Sequence, residues 1–386
     1  MKPQRSPSRS RRCLTDVLGD NRGAALVLTL FVVALVTILV LDYHLDATVE
    51  VELTDNYANN VRAYHLALSG LQFARAILEQ DDPGSDAASE LWYGLNGFGC
   101  VSPEQLLAMV QTISEEGPDL FGERETKPET PAASPSSACV KLSIVDEARK
   151  LPLNALVNQL GEPVEPWRTV FNTMFAELEI DEDAIDAVID WIDSGGEGFQ
   201  EGGGEDAYYE GLEPPYRTPD RPIEVPGELR LIRHFTCETL AKLFPGKECK
   251  DIPDIDLGTN EYLTPYGGES ADLKVNINTA NETVLRAVTQ GDANCVENIL
   301  AERLSVEGQQ ISQAIQNVNQ LCTVENFEQF AGVASTHFRI ESQAVIDGLI
   351  KKKIVAVLQR GAGGGTGGGA PGSAADAFTM VYFKIE

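Results

Sequence analysis

The longest apolar stretch of the chain lies close to its N-terminus. Residues 24–41 read AALVLTLFVVALVTILVL, eighteen positions without a charged side chain. A helix rises about 1.5 Å per residue, so this stretch nearly crosses a membrane core, which takes about 20 apolar residues. Six basic residues and two aspartates precede it, and five acidic residues follow it before the next base, Arg62. The positive-inside rule therefore predicts a cytoplasmic N-terminus, with the bulk of the chain across the membrane.

The apolar pattern continues beyond the membrane stretch. From Val61 to Leu78, apolar residues recur at three- and four-residue steps, which is the spacing of one helix face. The run Asp-Asp-Pro-Gly at 81–84 ends the pattern. The sequence thus predicts one helix over residues 24–80, which begins as a membrane span and ends as the spine of a folded body.

Strand patterns occur before and after a long central region of the chain. Cys139–Val145 alternates, and residues 337–360 read as two strands around Asp347-Gly348, a strong hairpin signal. We expect Ile350 on the apolar face of this hairpin. Residues 378–385 predict a closing strand. A long helix followed by an antiparallel sheet is an α+β fold.

About 190 residues separate the first strand from the hairpin, and their pattern is helical. Asp181 or Asp183 is the expected cap of the third helix, and Asn278 or Thr279 that of a later one, with Glu282 completing a capping box. The predicted helices are 153–160, 167–178, 181–193, one that follows Thr279, 296–303, 311–318 and 326–330.

Charge and cysteine content limit the classes of function that the chain can have. The formal net charge is −29 at pH 7, which repels nucleic acid and attracts divalent cations. Of the seven cysteines, Cys13 precedes the membrane stretch, and the other six permit fifteen pairings. No C-x-x-C spacing occurs, so zinc and thiol redox chemistry are disfavoured. Sequence proximity favours the pairs Cys100–Cys139, Cys237–Cys249 and Cys295–Cys322.

Residues 181–220 form a strongly acidic region, with thirteen carboxylates against one base, Arg217. Glycines between the carboxylates let the backbone curl. Ca²⁺ prefers about six to eight oxygen ligands, which carboxylates and backbone carbonyls can supply. The expected calcium ligands are Asp193, Glu205 and Asp206, followed by Asp190 and Glu197. A cluster of Tyr208, Tyr209, Pro214, Pro215 and Tyr216 is expected to fix this loop by packing. The alternative interpretation is a solvated acidic loop without an ion.

Two other functions find little support in the motifs. There is no nucleophile motif such as G-x-S-x-G, and the nearest histidine to the acidic region is His234. The stretch VNINTANETVL, 275–285, resembles the start of a DNA-binding helix-hairpin-helix. However, the turn at 290–295 lacks the glycine pattern and carries Asp292. The sequence therefore predicts neither an enzyme nor a nucleic-acid partner.

The basic leader ends in Arg22-Gly23-Ala24, directly before the apolar helix. This junction resembles the class III signal of type IV pilins and type II secretion pseudopilins. The resemblance implies that a prepilin peptidase cuts after Gly23 and methylates Ala24. That family usually has Glu at the fifth mature position, which is Leu28 here. A missing Glu is typical of the K-type minor pseudopilins, general secretion pathway protein K.

The acidic region carries the same resemblance. The run DWID…GEDAYYEGLEPPYRTPDRPIEVPGEL, 190–229, followed by 275–285, is similar to the K type. With the leader and the terminal hairpin, the resemblance covers nearly the whole chain. It departs at Gly195, where the family often has another Asp, so one calcium ligand is in doubt.

The resemblance implies a pilin-like body, with a long N-terminal helix packed on an antiparallel sheet, and a large inserted all-α domain of SAM-like or helix-hairpin-helix type. The implied division is a leader (1–23), a membrane and spine helix (24–80), a first body part (81–150), the insert (151–333) and C-terminal body strands (334–386).

The function implied is that of a non-enzymatic subunit at the tip of the type II secretion pseudopilus. The subunit is anchored once in the bacterial inner membrane, with its bulk in the periplasm. Its expected partners are the I-type and J-type minor pseudopilins, other pseudopilins, the inner-membrane secretion platform and the prepilin peptidase. Two alternatives remain: a minor pilin, adhesin or priming subunit of a type IV pilus, and an unprocessed membrane-anchored binding protein.

Overall fold

The fold comes from a computed structural model, which describes residues 23–116, 138–193, 202–204, 206–267, 273–303, 315–318, 321–361 and 377–386. The chain divides into two compact units, residues 1–61 and residues 62–386. The boundary falls inside the first helix, α1 (Ala24–Gln80), which contributes residues to both units. The bounds of α1 are those that the sequence predicts.

The described part of the first unit is the N-terminal portion of α1. The N–H of Val27 donates to the carbonyl of Gly23 at 3.2 Å, so the helix begins directly after this glycine. The large apolar side chains from Leu26 to Leu41 are 45–67% exposed. Exposed apolar surface of this extent calls for a lipid or protein environment. By length and composition, α1 is a candidate for a single membrane span.

The second unit contains the remaining elements. Its α-helices are α2 (Leu91–Gly94), α3 (Pro103–Glu116), α4 (Glu165–Glu177), α5 (Asp183–Ile192), α6 (Asp206–Tyr209), α7 (Cys237–Lys242), α8 (Glu282–Val288), α9 (Ala293–Arg303) and α10 (Phe327–Phe330). Its strands are β1 (Cys139–Asp146), β2 (Leu151–Pro152), β3 (Leu263–Thr264), β4 (Val275–Asn276), β5 (Ala331–Gly332), β6 (His337–Ile346), β7 (Leu349–Arg360) and β8 (Phe378–Ile385).

Four strands form one antiparallel sheet in the order β1-β6-β7-β8. Strands β6 and β7 meet at Asp347-Gly348, where φ is +54° and +76°. Two positive φ angles are what a two-residue hairpin turn requires. The long helix and this antiparallel sheet confirm the predicted α+β fold class.

Residues 63–78 of α1 pack on one face of the sheet. The two approach closely at Gly70, where a Cβ atom would collide with Ser342 Oγ and lie 2.7 Å from Val140 Cγ1. The Ser342 hydroxyl donates to the carbonyl of Ala67 at 2.7 Å. The crossing therefore needs a residue without a side chain at position 70.

Ile350 does not lie on the apolar face, and that prediction is wrong. The pairing of β6 with β7 shifts register between Ala344 and Val345. A bulge of this kind reverses the alternation of side chains beyond it. Ile350 therefore pairs with Val345 and is 57% exposed.

A second hydrophobic core lies between residues 151 and 331. The helices predicted at 167–178, 181–193 and 296–303 are present as α4, α5 and α9. Two pairs of very short parallel strands, β2 with β3 and β4 with β5, accompany them. The insert thus has its own core, separate from the one under α1.

The predicted helix over 153–160 is wrong. Only a short 3₁₀ turn, Leu153–Leu156, forms, and Val157 bridges to Pro163. The amide of buried Asn154 donates to the carbonyls of Ile223 and Pro265 at 2.9 and 2.7 Å. These tertiary bonds hold the segment in a turn that helical periodicity cannot show. Of the predicted helix at 311–318, residues 315–318 are not helical and 311–314 lie outside the described residues.

The helix caps also differ from the prediction. The N-cap of α5 is Glu182, and Asp181 accepts a hydrogen bond from the Asp183 N–H at 3.2 Å. The N-cap of α8 is Asn281, whose side chain accepts from the Val284 N–H at 2.9 Å. Asn278 and Thr279 are not available for that role, because both bond to other segments of the chain.

Three disulfides join the cysteine pairs that sequence proximity favours. They are Cys100–Cys139, Cys237–Cys249 and Cys295–Cys322. The first closes the segment before β1 onto the start of that strand, and the other two lie within the insert. Each closes a loop of the unfolded chain, which removes conformational entropy from the unfolded state.

A buried polar network joins the insert to the sheet. Asp146, at the end of β1, accepts hydrogen bonds from Asn276 Nδ2 at 2.9 Å, Thr279 Oγ1 at 2.5 Å and Ser335 Oγ at 2.6 Å. Asp146, Asn276 and Ser335 are at most 1% exposed. Buried polar groups keep their place only when they are paired, so this network fixes where the insert meets β1.

Arg360, the last residue of β7, extends the network to the end of α1. Its guanidinium donates to Asp86 Oδ2 at 2.9 Å and to Asp81 Oδ2 at 3.2 Å. Asp86 is fully buried and also accepts from the Ser335 N–H at 2.6 Å. One arginine therefore ties the segment after α1, the end of β7 and the segment before β6 together.

Burial raises the pKa of three carboxyl groups at this junction, because desolvation disfavours their charged form. The pKa of Asp81 rises from 3.8 to about 8, that of Glu90 from 4.5 to about 7, and that of Asp146 from 3.8 to about 6. A folded pKa above the unfolded value means that the native state binds protons more readily. The stabilisation is therefore complete below about pH 4 and is lost as the pH rises through 6 to 8.

We expect the melting temperature of the full chain in detergent to fall as the pH rises from 5 to 8. Glu90→Gln should flatten this dependence, since the amide oxygen can still accept the Trp92 Nε1 bond, 2.6 Å long in the native chain. Circular dichroism melts at each pH measure it. The control is Glu79→Gln, a half-exposed partner of Arg75. A melting temperature that climbs with pH, or equal slopes for native and Glu90→Gln chains, contradicts the assignment.

Candidate functional site

The acidic region of the sequence centres on α5, which is buried from Ala184 to Ile192. Asp186 and Asp190 are therefore covered along with the apolar side chains of the helix. Asp186 is neutralised by Arg168, whose Nη2 lies 2.5 Å from Asp186 Oδ1. Desolvation raises the pKa of Asp186, and the arginine offsets only part of that effect.

Asp190 and Asp193 lie at the C-terminal end of α5 and are 0% and 2% exposed. Their three-residue spacing puts them on neighbouring positions of the helix surface. A buried carboxylate must be balanced by positive charge or by hydrogen bonds. This end of α5 is accordingly the part of the acidic region where a cation would be stabilised most.

The segment Gly202–Gly204 passes along α5, with Gly202 beside Asp183 at its start and Gly203 beside Asp190 near its end. A Cβ atom at Gly203 would collide with Asp190 Oδ2, and one at Gly202 would lie 2.5 Å from Asp183 Oδ1. Residues with side chains would therefore push the segment away from the aspartates. The glycines allow the backbone to fold back onto the helix end.

Arg233 and His234 hold the glycine segment from its other side. The Arg233 guanidinium donates to the carbonyl of Gly203 and lies 4.7 Å from the centre of the Tyr208 ring. His234 Nε2 lies 2.9 Å from the carbonyl oxygen of Gly202. Both carbonyls are thus engaged by basic side chains. The sequence offered no signal for this role, since the two residues follow the segment by thirty positions.

Aromatic side chains pack beside this segment. Tyr209 is fully buried, with ring centres 5.4 Å from Trp191 and 5.2 Å from Tyr216. Its hydroxyl accepts from the Arg233 N–H at 3.1 Å, and burial raises its pKa to about 12. The Tyr216 hydroxyl donates to the carbonyl of Leu231 at 2.7 Å. The tyrosines therefore anchor the acidic region to residues 231–233.

Asp206, the third expected calcium ligand that the structure describes, is bonded to Thr218. Its Oδ1 accepts bonds from both the N–H and the hydroxyl of Thr218, each at 3.1 Å. Within the described residues, Asp190, Asp193 and Asp206 do not bring three carboxylate oxygens within 4.8 Å of one another. Glu197 and Glu205, the other expected ligands, lie outside the described residues.

Calcium therefore stays a prediction for this site. Two buried carboxylates beside a glycine segment are an oxygen donor set of the kind that Ca²⁺ prefers. They are too few by themselves, because Ca²⁺ takes about six to eight oxygens. The further ligands would come from acidic residues between 194 and 205, such as Glu197 and Glu205.

Two other groups of potential metal ligands occur in the described residues. In one, Cys237 and Cys249 are joined in a disulfide and cannot act as thiolates. In the other, Asp81, Asp86 and Glu90 surround Arg360, whose guanidinium already supplies the positive charge. Neither group suggests a resident metal.

In the helix hairpin of α8 and α9, the side chain of Asp292 occupies the N-terminus of α9. Asp292 Oδ1 accepts from the N–H groups of Asn294 and Cys295 at 2.9 and 3.2 Å. In a phosphate-binding hairpin these groups would face the ligand. The carboxylate takes that place and would repel a phosphate. The hairpin also packs into the insert core through Val284, Leu285 and Val288.

The leader junction lies at the start of the described chain. Gly23 precedes the first turn of α1, Ala24 is the first helical residue, and nothing lies within 4 Å of a Cβ atom built at Gly23. Leu28 is 66% exposed on α1.

Comparison with known proteins agrees with this architecture. Residues 149–246, which include α4 to α7, match the family model described as type II secretion system (T2SS), protein K. Type II secretion system protein K of Pseudomonas aeruginosa is 25% identical over 349 residues, 90% of either chain. Its namesake in Aeromonas hydrophila is 23% identical over 231 residues, 58% of this chain and 62% of that one.

The fold is also found in a solved structure. In the crystal structure of the GspK-GspI-GspJ complex of enterotoxigenic Escherichia coli, one chain aligns with a TM-score of 0.50 and 14% identity. The alignment covers 86% of this chain and 99% of that one. At this identity the likeness shows the fold alone.

The chain thus has a pilin-like fold, in which a long N-terminal helix and an antiparallel sheet carry an inserted domain with its own core. The family model and both relatives carry the name type II secretion system protein K, and they confirm the resemblance that the sequence carries.

We predict that calcium stabilises the insert. By mass action, a free ion at a hundred times its Kd adds about 2.7 kcal/mol to the free energy of unfolding, which raises the melting temperature by several degrees. Melting curves of the full chain with calcium and with chelator measure this shift. Asp193→Ala should abolish it, whereas Glu248→Ala, an exposed glutamate of the insert, should keep it. Equal melting temperatures in calcium and chelator, with no effect of Asp193→Ala, leave only the solvated-loop interpretation.

Proposed function

We propose that this protein is a non-enzymatic minor pseudopilin at the tip of the type II secretion pseudopilus. It would initiate or cap the filament and so support export of folded proteins across the outer membrane. The observation that carries the proposal is that part of the insert matches the protein K family model in a chain with a pilin-like fold.

Leu28 supports a position at the end of the filament. It is the fifth residue after the proposed cleavage site, where related pilins usually place Glu. A carboxylate in the membrane core costs roughly 2.5–3.5 kcal/mol, so it is kept only where a neighbouring subunit pairs with it. A subunit with Leu28 does not need to dock onto a subunit ahead of it.

The size of the insert supports the same position. A filament grows by repeating one head-to-tail interface between subunits. The insert contributes a second core between residues 151 and 331, with more buried apolar residues than the core under α1. Such a bulk beside the repeating interface would interrupt the repeat, which is acceptable only at one end.

The proposed partners follow from the related complex. The E. coli structure holds GspK together with GspI and GspJ, and by this similarity we propose the I-type and J-type minor pseudopilins as direct partners. We also propose contacts with other pseudopilins and with the inner-membrane platform. The chain would be anchored by residues 24–41, with its N-terminus in the cytoplasm and its bulk in the periplasm. The type IV pilus alternative is less well supported, because the comparisons name type II secretion.

The first test is processing by the prepilin peptidase. We expect the membrane form of the chain to start at Ala24, with a methylated N-terminus, in mass spectrometry. Gly23→Leu should leave the leader attached, because the peptidase needs a residue without a side chain before the cut. Gly19→Leu, in the same leader, should be processed normally. A native chain that starts at Met1, or beyond residue 42, refutes the pilin interpretation.

The second test is filament length. An excess of this chain over the major pseudopilin should shorten the filaments seen by electron microscopy, since each added end stops growth. Leu28→Glu should weaken the effect by restoring the docking carboxylate. Leu35→Glu carries the same charge elsewhere in the span and should not. Long filaments made of this chain alone would exclude a capping role.

A further inference from the structure

One strip of the sheet face that carries α1 is left open at the β8 edge. Met380, Phe383 and Ile385 lie on the α1 side, because their partners Leu358, Ala356 and Ile354 belong to the core beneath that helix. The three are 42–44% exposed. On the same strand and face, Phe378 is only 2% exposed.

The open strip follows from the width of the sheet. Strands lie about 4.8 Å apart, so four strands make a face roughly 15–19 Å wide. A helix with its side chains is about 10–12 Å wide. At the β1 edge the chain supplies extra cover, since Leu106 of α3 is buried in the same core. In the described part of the chain, the β8 edge has no comparable cover, and a strip about 3–9 Å wide remains open beside α1, against which the side of a further helix could pack.

The strip is basic at one end. Leu349, 61% exposed, and Lys352 share the α1 side, because they pair with Ile346 and Ala344 of the same core. Neither Lys351 nor Lys352 takes part in an ion pair within the described ranges. In a chain with a net charge of −29, two adjacent unpaired lysines beside apolar residues mark a surface that suits a partner with carboxylates.

We infer that this open strip (Leu349, Lys352, Met380, Phe383 and Ile385) docks one helix of another pilin-type subunit, in which apolar residues alternate with carboxylates. The inference rests on the proposed function and names the surface through which it would work. A spine helix can carry this pattern, as residues 42–61 of the present chain show: Leu45, Val49, Leu53 and Tyr57 alternate with Asp46 and Glu50. The apolar residues would cover the strip, and the carboxylates would face Lys351 and Lys352.

The test is co-purification of the tagged full chain with the I-type and J-type subunits of the same secretion system. Met380→Asp with Phe383→Asp should lower partner recovery at least tenfold, because a buried unpaired carboxylate opposes docking. Lys351→Glu with Lys352→Glu should lower it severalfold without touching the core. Added salt should weaken recovery by the native chain, since the pairing is partly electrostatic.

Matched variants in the insert serve as controls. Leu160→Asp changes an apolar residue that is 81% exposed, and Lys247→Glu with Lys250→Glu reverses two exposed lysines. Both should recover partners like the native chain. All variants should keep the native melting temperature within about 2 °C, which separates lost docking from lost folding.

The outcomes separate the two proposals. If the native chain recovers neither subunit, the proposed function fails and the inference fails with it. If the native chain recovers them and both strip variants do so equally well, the inference alone is overturned. If the strip variants lose self-association of this chain, or binding to anionic vesicles, while partner recovery stays native, the strip serves a second copy or lipid and the inference is wrong.

Discussion

The second unit depends on a buried charge cluster at the end of its sheet. Arg360 meets Asp86 and Asp81 there, and its guanidinium lies 5.0 Å from the centre of the Phe338 ring. Removing one member of a buried ion pair leaves the other charge uncompensated, which typically costs about 3–5 kcal/mol. Since Asp86 also binds Ser335, the cluster holds the segment after α1 and the segment before β6 in one place.

This cluster explains how a large insert is tolerated. The insert leaves the sheet after Asp146 and returns before His337, and Asp146 pairs in register with Phe338. Its two ends are therefore neighbours on adjacent strands, so the sheet does not have to open to admit it. The bonds from Asn276, Thr279 and Ser335 to Asp146 close the point of insertion. The insert in turn contacts the sheet face opposite α1, where buried Arg339 pairs with Asp256.

Features with a local physical cause could be predicted from the sequence. The limits of α1, the hairpin at Asp347-Gly348 and the close spacing of paired cysteines all follow from periodicity, turn chemistry or separation along the chain. Features that depend on distant partners could not. Asn154 is held in a turn by Ile223 and Pro265, and a register shift turns Ile350 outward. At the acidic region, composition indicated carboxylates and glycines that let the backbone curl, but not that Asp190 and Asp193 are buried or that Arg233 and His234 occupy the glycine carbonyls.

A subunit at the end of a filament has two requirements that oppose each other: it must bind the subunits below it and offer nothing to a subunit above. In the proposed tip, Leu28 meets the second requirement, because no carboxylate is present in the membrane span to pair with another N-terminus. The sheet meets the first requirement, which is to bind the subunits below. The insert covers part of one face, around Arg339, and α1 covers most of the other. In the described part of the chain, the strip along β8 is the apolar surface that lies open beside α1, and half-exposed Phe383 and Ile385 would be stabilised there by being covered.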